Sequence, residues 1–221
     1  MISDQENIWR PSYKASLKSE FAFELKSFLG RLFKNRSAPT QKSLLNLGNG
    51  DSYYEDFVNA DFFCGFKFWK KNPRRVDWQL DLRYPLNCTE SRWDGVFTEH
   101  VLEHLFHDEV LFLLRELERT MAPAAIIRII VPDLEQCCKD YENKNFVNSN
   151  ETGARLMWGL SQNWAHKSLW DFELMSEALQ LSGFKNIRKC QFSEGEFKAL
   201  LRDSPNRKNR SLYVEAQKRA N

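Results

Sequence analysis

The residues best suited to chemistry lie in one short stretch, WDGVFTEHVLEHL at positions 93–105. His100, Glu103 and His104 form the pattern H-x-x-E-H, in which two histidines one helical turn apart could share a zinc ion with a carboxylate beside them. The same stretch also fits a buried strand that ends where open α/β sheets bind their ligands. These two interpretations predict different functions, and the rest of the chain decides between them.

A second candidate site follows an apolar segment at residues 43–47 and contains Gly48, Asn49 and Gly50. Glycines after a strand remove side chains where a ligand must approach the backbone, although paired glycines are also common in ordinary turns. The dinucleotide-binding pattern requires a third glycine, which is missing here. Asp61 follows Gly50 by only about ten residues, against the roughly 20 of that pattern, so a nicotinamide-dependent enzyme is disfavoured.

The elements that would position these residues alternate between short apolar strands and amphipathic helices. The apolar segments predict seven strands, at residues 43–47, 56–60, 76–82, 93–97, 125–131, 186–192 and 211–217. Helical spacing predicts helices at residues 18–34, 108–120, 134–144 and 169–181. This order predicts an α/β fold with a Rossmann-like, mostly parallel seven-stranded sheet and helices on both faces.

Two regions stand outside this alternation. Residues 18–34 carry Phe and Leu at helical spacing with Lys and Glu between them, which predicts an amphipathic helix packed on the domain or on a second subunit, with a membrane surface as the alternative. Residues 145–167 show no clear period, and we expect them to form a lid or a substrate wall. We therefore divide the chain into an N-terminal helical extension, 1–40, and a sheet domain, 41–221.

Composition disfavours several classes of protein. A chain of 221 residues, 42% hydrophobic and 28% charged, is typical of one globular domain. The net charge of +2 gives no electrostatic signature of a nucleic-acid binder. The 5 cysteines include no C-x-x-C pair, which argues against a disulfide framework or a cysteine zinc site. Without a secretory pattern or an apolar run that could span a bilayer, we expect a cytoplasmic protein with no stable membrane insertion.

Seven motifs occur in a recognisable order: LLNLGNG, VNAD, LDLRYPL, WDGVFTEHVLEHL, LLRELERTMAPAAIIRIIVPDLE, AHKSLWDFELMSEALQLSGF and SLYVEAQK. Together they resemble the class I S-adenosylmethionine (SAM)-dependent methyltransferases, and within them a group of predicted methyltransferases of unassigned substrate. The resemblance covers residues 43–218 and identifies residues 41–221 as a methyltransferase domain. Two features depart from the family: Ala122-Pro123-Ala124 replaces its proline-glycine-glycine turn, and the first crossover is too short for a full helix.

The resemblance implies that SAM is the cofactor. The positions that it assigns to SAM are Gly48, Asn49, Gly50, Asp61, Asp81, Leu82 and Glu99. The glycines would let the backbone approach the methionine and ribose part, and Asp61 would accept hydrogen bonds from the ribose hydroxyls. Asp81 and Leu82 would hold the adenine through one polar and one apolar contact. The alternative for Asp61 is a surface acid, and the alternative for Asp81 is a helix or turn cap.

The resemblance also suggests which residues act in catalysis. Methyl transfer requires alignment of the acceptor with the methyl group, and a hydroxyl or amine acceptor must also lose a proton. His100 is the first candidate for the base, followed by Glu99, His166 and Asp133. We expect Glu103 and His104 to organise the start of the following helix, and we expect no metal ion.

The acceptor is the least defined part of the prediction. No Asn-Pro-Pro-Tyr motif marks an amino group on a nucleic-acid base, which favours a small-molecule or glycan acceptor, methylated at oxygen, and no nucleic-acid partner. Trp158, Trp164 and Trp170 could wall its pocket, although tryptophans at such spacing are more often core residues. Two alternatives stay open: a methyltransferase-fold binding protein without activity, and a zinc peptidase that uses H-x-x-E-H. The oligomeric state cannot be read from the sequence.

Overall fold

The computed structural model of the protein describes residues 16–34, 36–63, 75–146 and 152–220. Its strands are β1 Leu44–Leu47, β2 Phe57–Asp61, β3 Trp78–Gln79, β4 Trp93–Glu99, β5 Met121–Pro132, β6 Lys185–Cys190 and β7 Ser211–Gln217. Its α-helices are α1 Leu17–Lys34, α2 His107–Thr120, α3 Leu134–Glu142, α4 Ala154–Gln162 and α5 Phe172–Leu181. The alternation of strands and helices that the sequence predicts is present.

All the strands belong to one sheet, in the order β3-β2-β1-β4-β5-β7-β6. The pairs from β3 to β5 are parallel, whereas β7 is antiparallel to both β5 and β6. The predicted Rossmann-like, mostly parallel seven-stranded sheet is therefore confirmed. The strand order reverses between the adjacent strands β1 and β4, and open α/β sheets bind ligands outside the carboxyl ends of the strands at such a point.

Both faces of the sheet are buried, because its central strands are apolar along most of their length. Ile127 and Ile129 of β5 belong to the main core, which α2 and α5 cover, whereas Ile126 and Ile130 belong to a second cluster on the opposite face. That second cluster is completed by aromatic side chains and by Leu200, which lies in a 3₁₀ turn. Apolar side chains on the two faces of β5 thus contribute to the two clusters on opposite faces of the sheet.

Several elements differ from their predicted boundaries. β3 comprises only Trp78–Gln79 instead of residues 76–82. Residues 145–167 were expected to lack a regular period, yet they contain α4 and the 3₁₀ turn Asn163–Ala165. The segment between β1 and β2 contains no helix, as the short first crossover predicts.

The altered turn before the fifth strand forms part of that strand. β5 begins at Met121, which pairs with Trp93, and the next pair with β4 joins Gly95 to Ile126. The extra residues form a bulge, in which Ala124 has a φ of +62°. Glycine is therefore not required for the chain to turn here, although a left-handed alanine costs about 1–2 kcal/mol.

The N-terminal helix does not pack as its periodicity predicts. Its buried residues are the small ones, Ser27 and Gly30, and a Cβ on Gly30 would lie 2.2 Å from the Phe63 ring. Phe21 and Phe33, on the predicted apolar face, are 69% and 73% exposed. Small residues permit the closest approach between α1 and the domain, so the contact forms there. None of the described helices has both the length and the apolar character needed to cross a bilayer.

A buried arginine fixes the connection between β6 and β7 to the sheet. Arg128 of β5 is fully buried, and its Nε and Nη2 donate to Asp203 at 2.7 Å and 2.5 Å. Its Nη1 donates to Glu215 Oε1 at 3.1 Å and to the Glu194 carbonyl at 2.8 Å. A buried charge is tolerated only with its partners in place, so this network holds the connection in one position.

We expect Asp203→Ala to lower the free energy of unfolding by about 3–5 kcal/mol, because Arg128 then stays in the core with a single carboxylate partner. Asp56→Ala is the matched control, since it removes the exposed carboxylate that pairs with Arg202, and its expected effect is below about 1 kcal/mol. Urea unfolding followed by circular dichroism measures both. Equal, small losses in the two variants would contradict the assigned role of Arg128.

Candidate active site

The carboxyl ends of β1, β2 and β4 meet at one edge of the sheet because these strands are parallel. The loops that follow them line a cavity of about 1240 Å³. A drug-sized ligand occupies roughly 300–1,000 Å³, so the cavity has room for a cofactor and a small acceptor. Apart from Asp133, all the predicted site residues line it: Gly48, Asn49, Gly50, Asp61, Asp81, Leu82, Glu99, His100 and His166.

The loop after β1 requires glycine at two positions for different reasons. Gly48 has a φ of +70°, and a Cβ there would lie 2.3 Å from Cγ2 of Val101. Gly50 has a φ of +52°, but its Cβ would meet no described atom within 4 Å. A side chain is therefore disfavoured at Gly48 by both contact and conformation, and at Gly50 by conformation alone. The backbone of Gly50 borders open space that a ligand can enter.

Asp61, at the end of β2, holds this loop from the other side. The Gly50 N–H donates to its Oδ2 at 2.9 Å, and the Phe62 N–H donates to its Oδ1 at 2.6 Å. A carboxylate offers about four acceptor positions, which is the chemistry that a ligand with neighbouring hydroxyl groups needs. Asn49 is 4% exposed, and within the described chain its Oδ1 has no hydrogen-bond donor. The loop thus carries acceptors suited to hydroxyl and amino groups.

Asp81, after β3, belongs to an ion-paired turn. Arg83 contacts it through Nη2 at 2.7 Å and through its backbone N–H at 3.0 Å, and Ser27 Oγ of α1 donates to it at 2.5 Å. Burial alone would raise the pKa of Asp81, but the hydrogen bonds from Arg83 and Ser27 outweigh it and hold the pKa below its ordinary value. Asp81 is therefore an ionised turn cap at the cavity wall, and Leu82 beside it supplies an apolar surface.

Glu99, at the end of β4, is bound by the connection between β6 and β7. The Ser204 N–H donates to its Oε1 at 2.8 Å, and the Ser204 hydroxyl donates to its Oε2 at 2.5 Å. Arg207 Nη1 lies 3.9 Å from the same carboxylate, whose side chain is only 7% exposed. These contacts make Glu99 a support for the cavity wall and a weaker candidate for proton transfer than its position in the sequence indicates.

His100 and Glu103 lie in contact beside the cavity. His100 Nδ1 is 3.2 Å from Glu103 Oε1, and its Nε2 is 2.9 Å from Ser211 Oγ. The His100 side chain is 21% exposed, whereas that of Glu103 is 1% exposed. Neither carboxylate oxygen of Glu103 accepts a hydrogen bond from the part of the chain that the structure describes. Such a buried carboxylate is costly, because nothing replaces its lost hydration.

Two further imidazoles approach Glu103. His166 donates from Nδ1 to the Leu160 carbonyl at 2.7 Å, and its Nε2 lies 4.0 Å from Glu103 Oε1. The His104 ring contacts the His166 ring edge to face, with 5.1 Å between centroids. Burial lowers the pKa of His104, although the charge of Glu103 opposes the shift.

The H-x-x-E-H residues do not share one α-helix. β4 ends at Glu99, His100 has a φ of +53°, and Leu102–His104 form a 3₁₀ turn. α2 begins only at His107, so Glu103 and His104 precede this helix. The zinc-peptidase pattern requires both histidines on one face of a helix. This stretch lacks that geometry, and the peptidase interpretation is not supported.

One wall of the cavity is formed by α4 and the 3₁₀ turn after it, which belong to the segment predicted to be a lid or a substrate wall; residues 147–151 of that segment lie outside the described residues. Trp158 and Trp164 line the cavity. Trp170 is 2% exposed in the main core and donates from Nε1 to Ser168 Oγ at 2.9 Å. Two of the three tryptophans considered for an acceptor pocket are therefore placed to form one.

Two serines that sequence reasoning did not consider also contribute to the site. Ser204 binds Glu99, and Ser211 contacts His100. Ser204 belongs to no motif and Ser211 only begins the SLYVEAQK segment, and both lie more than 100 positions further along the chain than their partners. Only the return of the chain into β7 brings them to the carboxyl end of β4, so no local signal could have identified them.

Solved structures of SAM-dependent methyltransferases share this fold. One from Archaeoglobus fulgidus matches with a TM-score of 0.51 and 18% identity, over 92% of this chain and 100% of that chain. One from Methanosarcina mazei matches with a TM-score of 0.51 and 12% identity, over 83% of this chain and 95% of that chain. No protein-family model and no curated protein matches the sequence. The chain therefore has the class I SAM-dependent methyltransferase fold, and at these identities the likeness extends to the fold alone.

We expect Gly48→Ala to destabilise the protein more than Gly50→Ala does. Each places a Cβ on a left-handed residue at a cost of about 1–2 kcal/mol, but only the first also overlaps Val101. Val101→Ala should therefore recover part of the additional loss when it is combined with Gly48→Ala. Urea unfolding of the four variants measures this coupling. Equal losses at the two glycines, or strict additivity with Val101→Ala, would contradict the close contact.

Proposed function

We propose that the protein transfers the methyl group of SAM to an oxygen of a small-molecule or glycan acceptor. The observation that carries this proposal is the glycine loop after β1, which lies with Asp61 at the point where the strand order reverses and borders a cavity large enough for two ligands. The shared fold supports methyl transfer in general. The acceptor and the methylated atom are inferred from the residues of this chain.

The cofactor side of the cavity has the donors, acceptors and space that an adenosyl ligand needs. The open backbone at Gly50 can approach the ribose, and Asp61, which holds the Gly50 N–H, is an acceptor of the type that binds ribose hydroxyls. The orphaned Oδ1 of Asn49 is an acceptor suited to the ammonium group of the methionine part. Leu82 offers an apolar contact to the adenine, beside the charged turn at Asp81.

When bound, SAM supplies an electrophilic methyl group whose bond to sulfur breaks, with the electron pair staying on sulfur, as an acceptor oxygen forms the new bond. The chain has to hold the acceptor in line with that bond and keep water away. Trp158 and Trp164 line the side of the cavity formed by α4 and the turn after it. Rigid aromatic faces suit sugars and planar hydroxyl compounds.

We assign His100 to accept the proton that the acceptor hydroxyl loses. His100 lines the cavity, and its side chain is 21% exposed, against 8% for His166. Glu103 Oε1 lies 3.2 Å from its Nδ1. A nearby carboxylate stabilises the imidazolium that forms. Glu99 holds the wall through Ser204, and His166 stands behind His100 as the second candidate for this proton.

Calorimetric titration with SAM and S-adenosylhomocysteine tests the cofactor assignment. We expect both to bind, NAD not to bind, and Asp61→Asn to weaken SAM binding roughly tenfold to a hundredfold, because it removes a charged acceptor for the ribose hydroxyls. Asp94→Asn is the matched control, since Asp94 is exposed near the opposite end of β4, and we expect unchanged affinity.

The proposal fails if neither adenosyl compound binds, or if Asp61→Asn and Asp94→Asn bind SAM equally well. Binding that depends on Asp61 without any S-adenosylhomocysteine release, across a panel of hydroxylated small molecules and glycans, would overturn the assignment of an oxygen acceptor.

A further inference from the structure

The proposed role of Glu103 beside His100 does not account for the depth at which its carboxylate is buried. Its side chain is 1% exposed, and neither oxygen accepts a hydrogen bond from any described residue. His100 Nδ1 lies 3.2 Å from Oε1, but its geometry is not that of a hydrogen bond. Buried carboxylates of this kind are normally paired or coordinate a cation.

His104 and His166 both bring a ring nitrogen to within 4.8 Å of a Glu103 carboxylate oxygen. His166 donates from Nδ1 to the Leu160 carbonyl, which leaves Nε2 as the free acceptor facing Glu103. His104 is hydrogen-bonded to the backbone of Ala165 and contacts the His166 ring. Metal-binding histidines commonly fix their tautomer in this way, by donating the second ring N–H to a backbone carbonyl. One nitrogen of each ring thus stays available.

The backbone holds these three side chains together. The Lys167 N–H donates to the Glu103 carbonyl at 2.7 Å, and the Ser168 hydroxyl donates to the Leu102 carbonyl at 3.3 Å. The segment that carries His166 is therefore tied to the 3₁₀ turn that carries Glu103. One ligand atom from each of the three residues lies within 4.8 Å of the other two.

We propose that Glu103, His104 and His166 bind one divalent first-row transition metal ion, with Zn²⁺ as the reference ion. Two imidazoles and one carboxylate are the ligand set of zinc sites that keep a position open for water or substrate. Imidazole ligands favour zinc, iron, cobalt or nickel over magnesium and calcium. With bonds of about 2.0–2.2 Å, the ligand atoms would draw in to roughly 3.4 Å from one another, a small side-chain movement.

The open position would serve the acceptor side of the site. All three residues line the cavity, as does His100 beside them. A hydroxyl bound to such an ion would be more acidic than a free one, and His100, whose Nδ1 lies 3.2 Å from the proposed ligand Glu103, would be the neighbouring base. This role rests on the proposed methyl transfer. A metal ion in this place would restrict the acceptor to compounds with a metal-binding hydroxyl. Metal binding itself can be tested without any acceptor.

Cobalt binding provides the direct test. Protein treated with a chelator and dialysed is titrated with Co²⁺, whose visible absorption reports its coordination, and Zn²⁺ is then used to displace it. We expect one equivalent to bind, and Zn²⁺ to raise Tm in a concentration-dependent way. Glu103→Gln, His104→Asn and His166→Asn should each weaken binding by at least about tenfold. His107→Asn is the matched control, because His107 contacts Leu169 and Trp170 outside the cluster, and it should bind like the wild type.

Glu103→Gln also separates loss of metal binding from loss of folding. Because the amide replaces a buried charge that has no donor, the metal-free variant should be at least as stable as the metal-free wild type, yet show no increase in Tm with Zn²⁺. The proposal is overturned if no stoichiometric Co²⁺ band forms, if binding survives Glu103→Gln and His166→Asn, or if His107→Asn removes it equally.

A parallel titration with S-adenosylhomocysteine keeps the two proposals apart. Metal-free protein and Glu103→Gln should bind it normally, since the cofactor residues lie on the loops after β1 and β2. Adenosyl binding without metal binding overturns the metal site and leaves the methyltransferase assignment intact. Metal binding without adenosyl binding overturns the methyltransferase assignment and leaves the metal site intact.

Discussion

The close contact between Gly48 and Val101 is the constraint on which the candidate site depends. It places the loop after β1 against the loop after β4, at the reversal of the strand order. The parallel sheet brings both strand ends to the same edge, and the missing side chain lets the two loops meet. Asp61 then holds the next turn of the loop through Gly50. A ligand in the cavity can therefore touch the cofactor loop and the residues after β4 at once.

The opposite wall depends on charge pairing rather than on close packing. Arg128, buried in β5, binds Asp203, and the next residue, Ser204, donates to both oxygens of Glu99. The core ion pair thus determines where the β6–β7 connection crosses the end of β4. This explains why Glu99 supports the wall while the more exposed His100 faces the cavity. Adjacent residues thus serve the core and the site: Asp203 pairs with the buried arginine, and Ser204 holds the cavity wall.

The strands and the cofactor side could be predicted because their signals are local. Gly48 directly follows an apolar strand, and Asp61 follows the next one, so chain order alone places them together. Glu103, His104 and His166 stand out in the sequence one by one, but their meeting could not be predicted. His166 lies in a region without periodicity and reaches the site only through α4 and the turn after it. The packing of α1 could not be predicted either. Its sequence has an apolar period, but the small residues Ser27 and Gly30 are the ones that pack against the domain. Tertiary packing, which a one-dimensional pattern does not encode, accounts for each difference.

A crystal structure of the protein with S-adenosylhomocysteine would test the central claim most directly. The account predicts that the ligand lies in the cavity at the β1 and β4 ends, with its ribose hydroxyls hydrogen-bonded to Asp61 and its amino-acid part against the backbone between Gly48 and Gly50. Its sulfur should point toward His100. A ligand bound elsewhere, or one that leaves Asp61 without contact, would contradict the account.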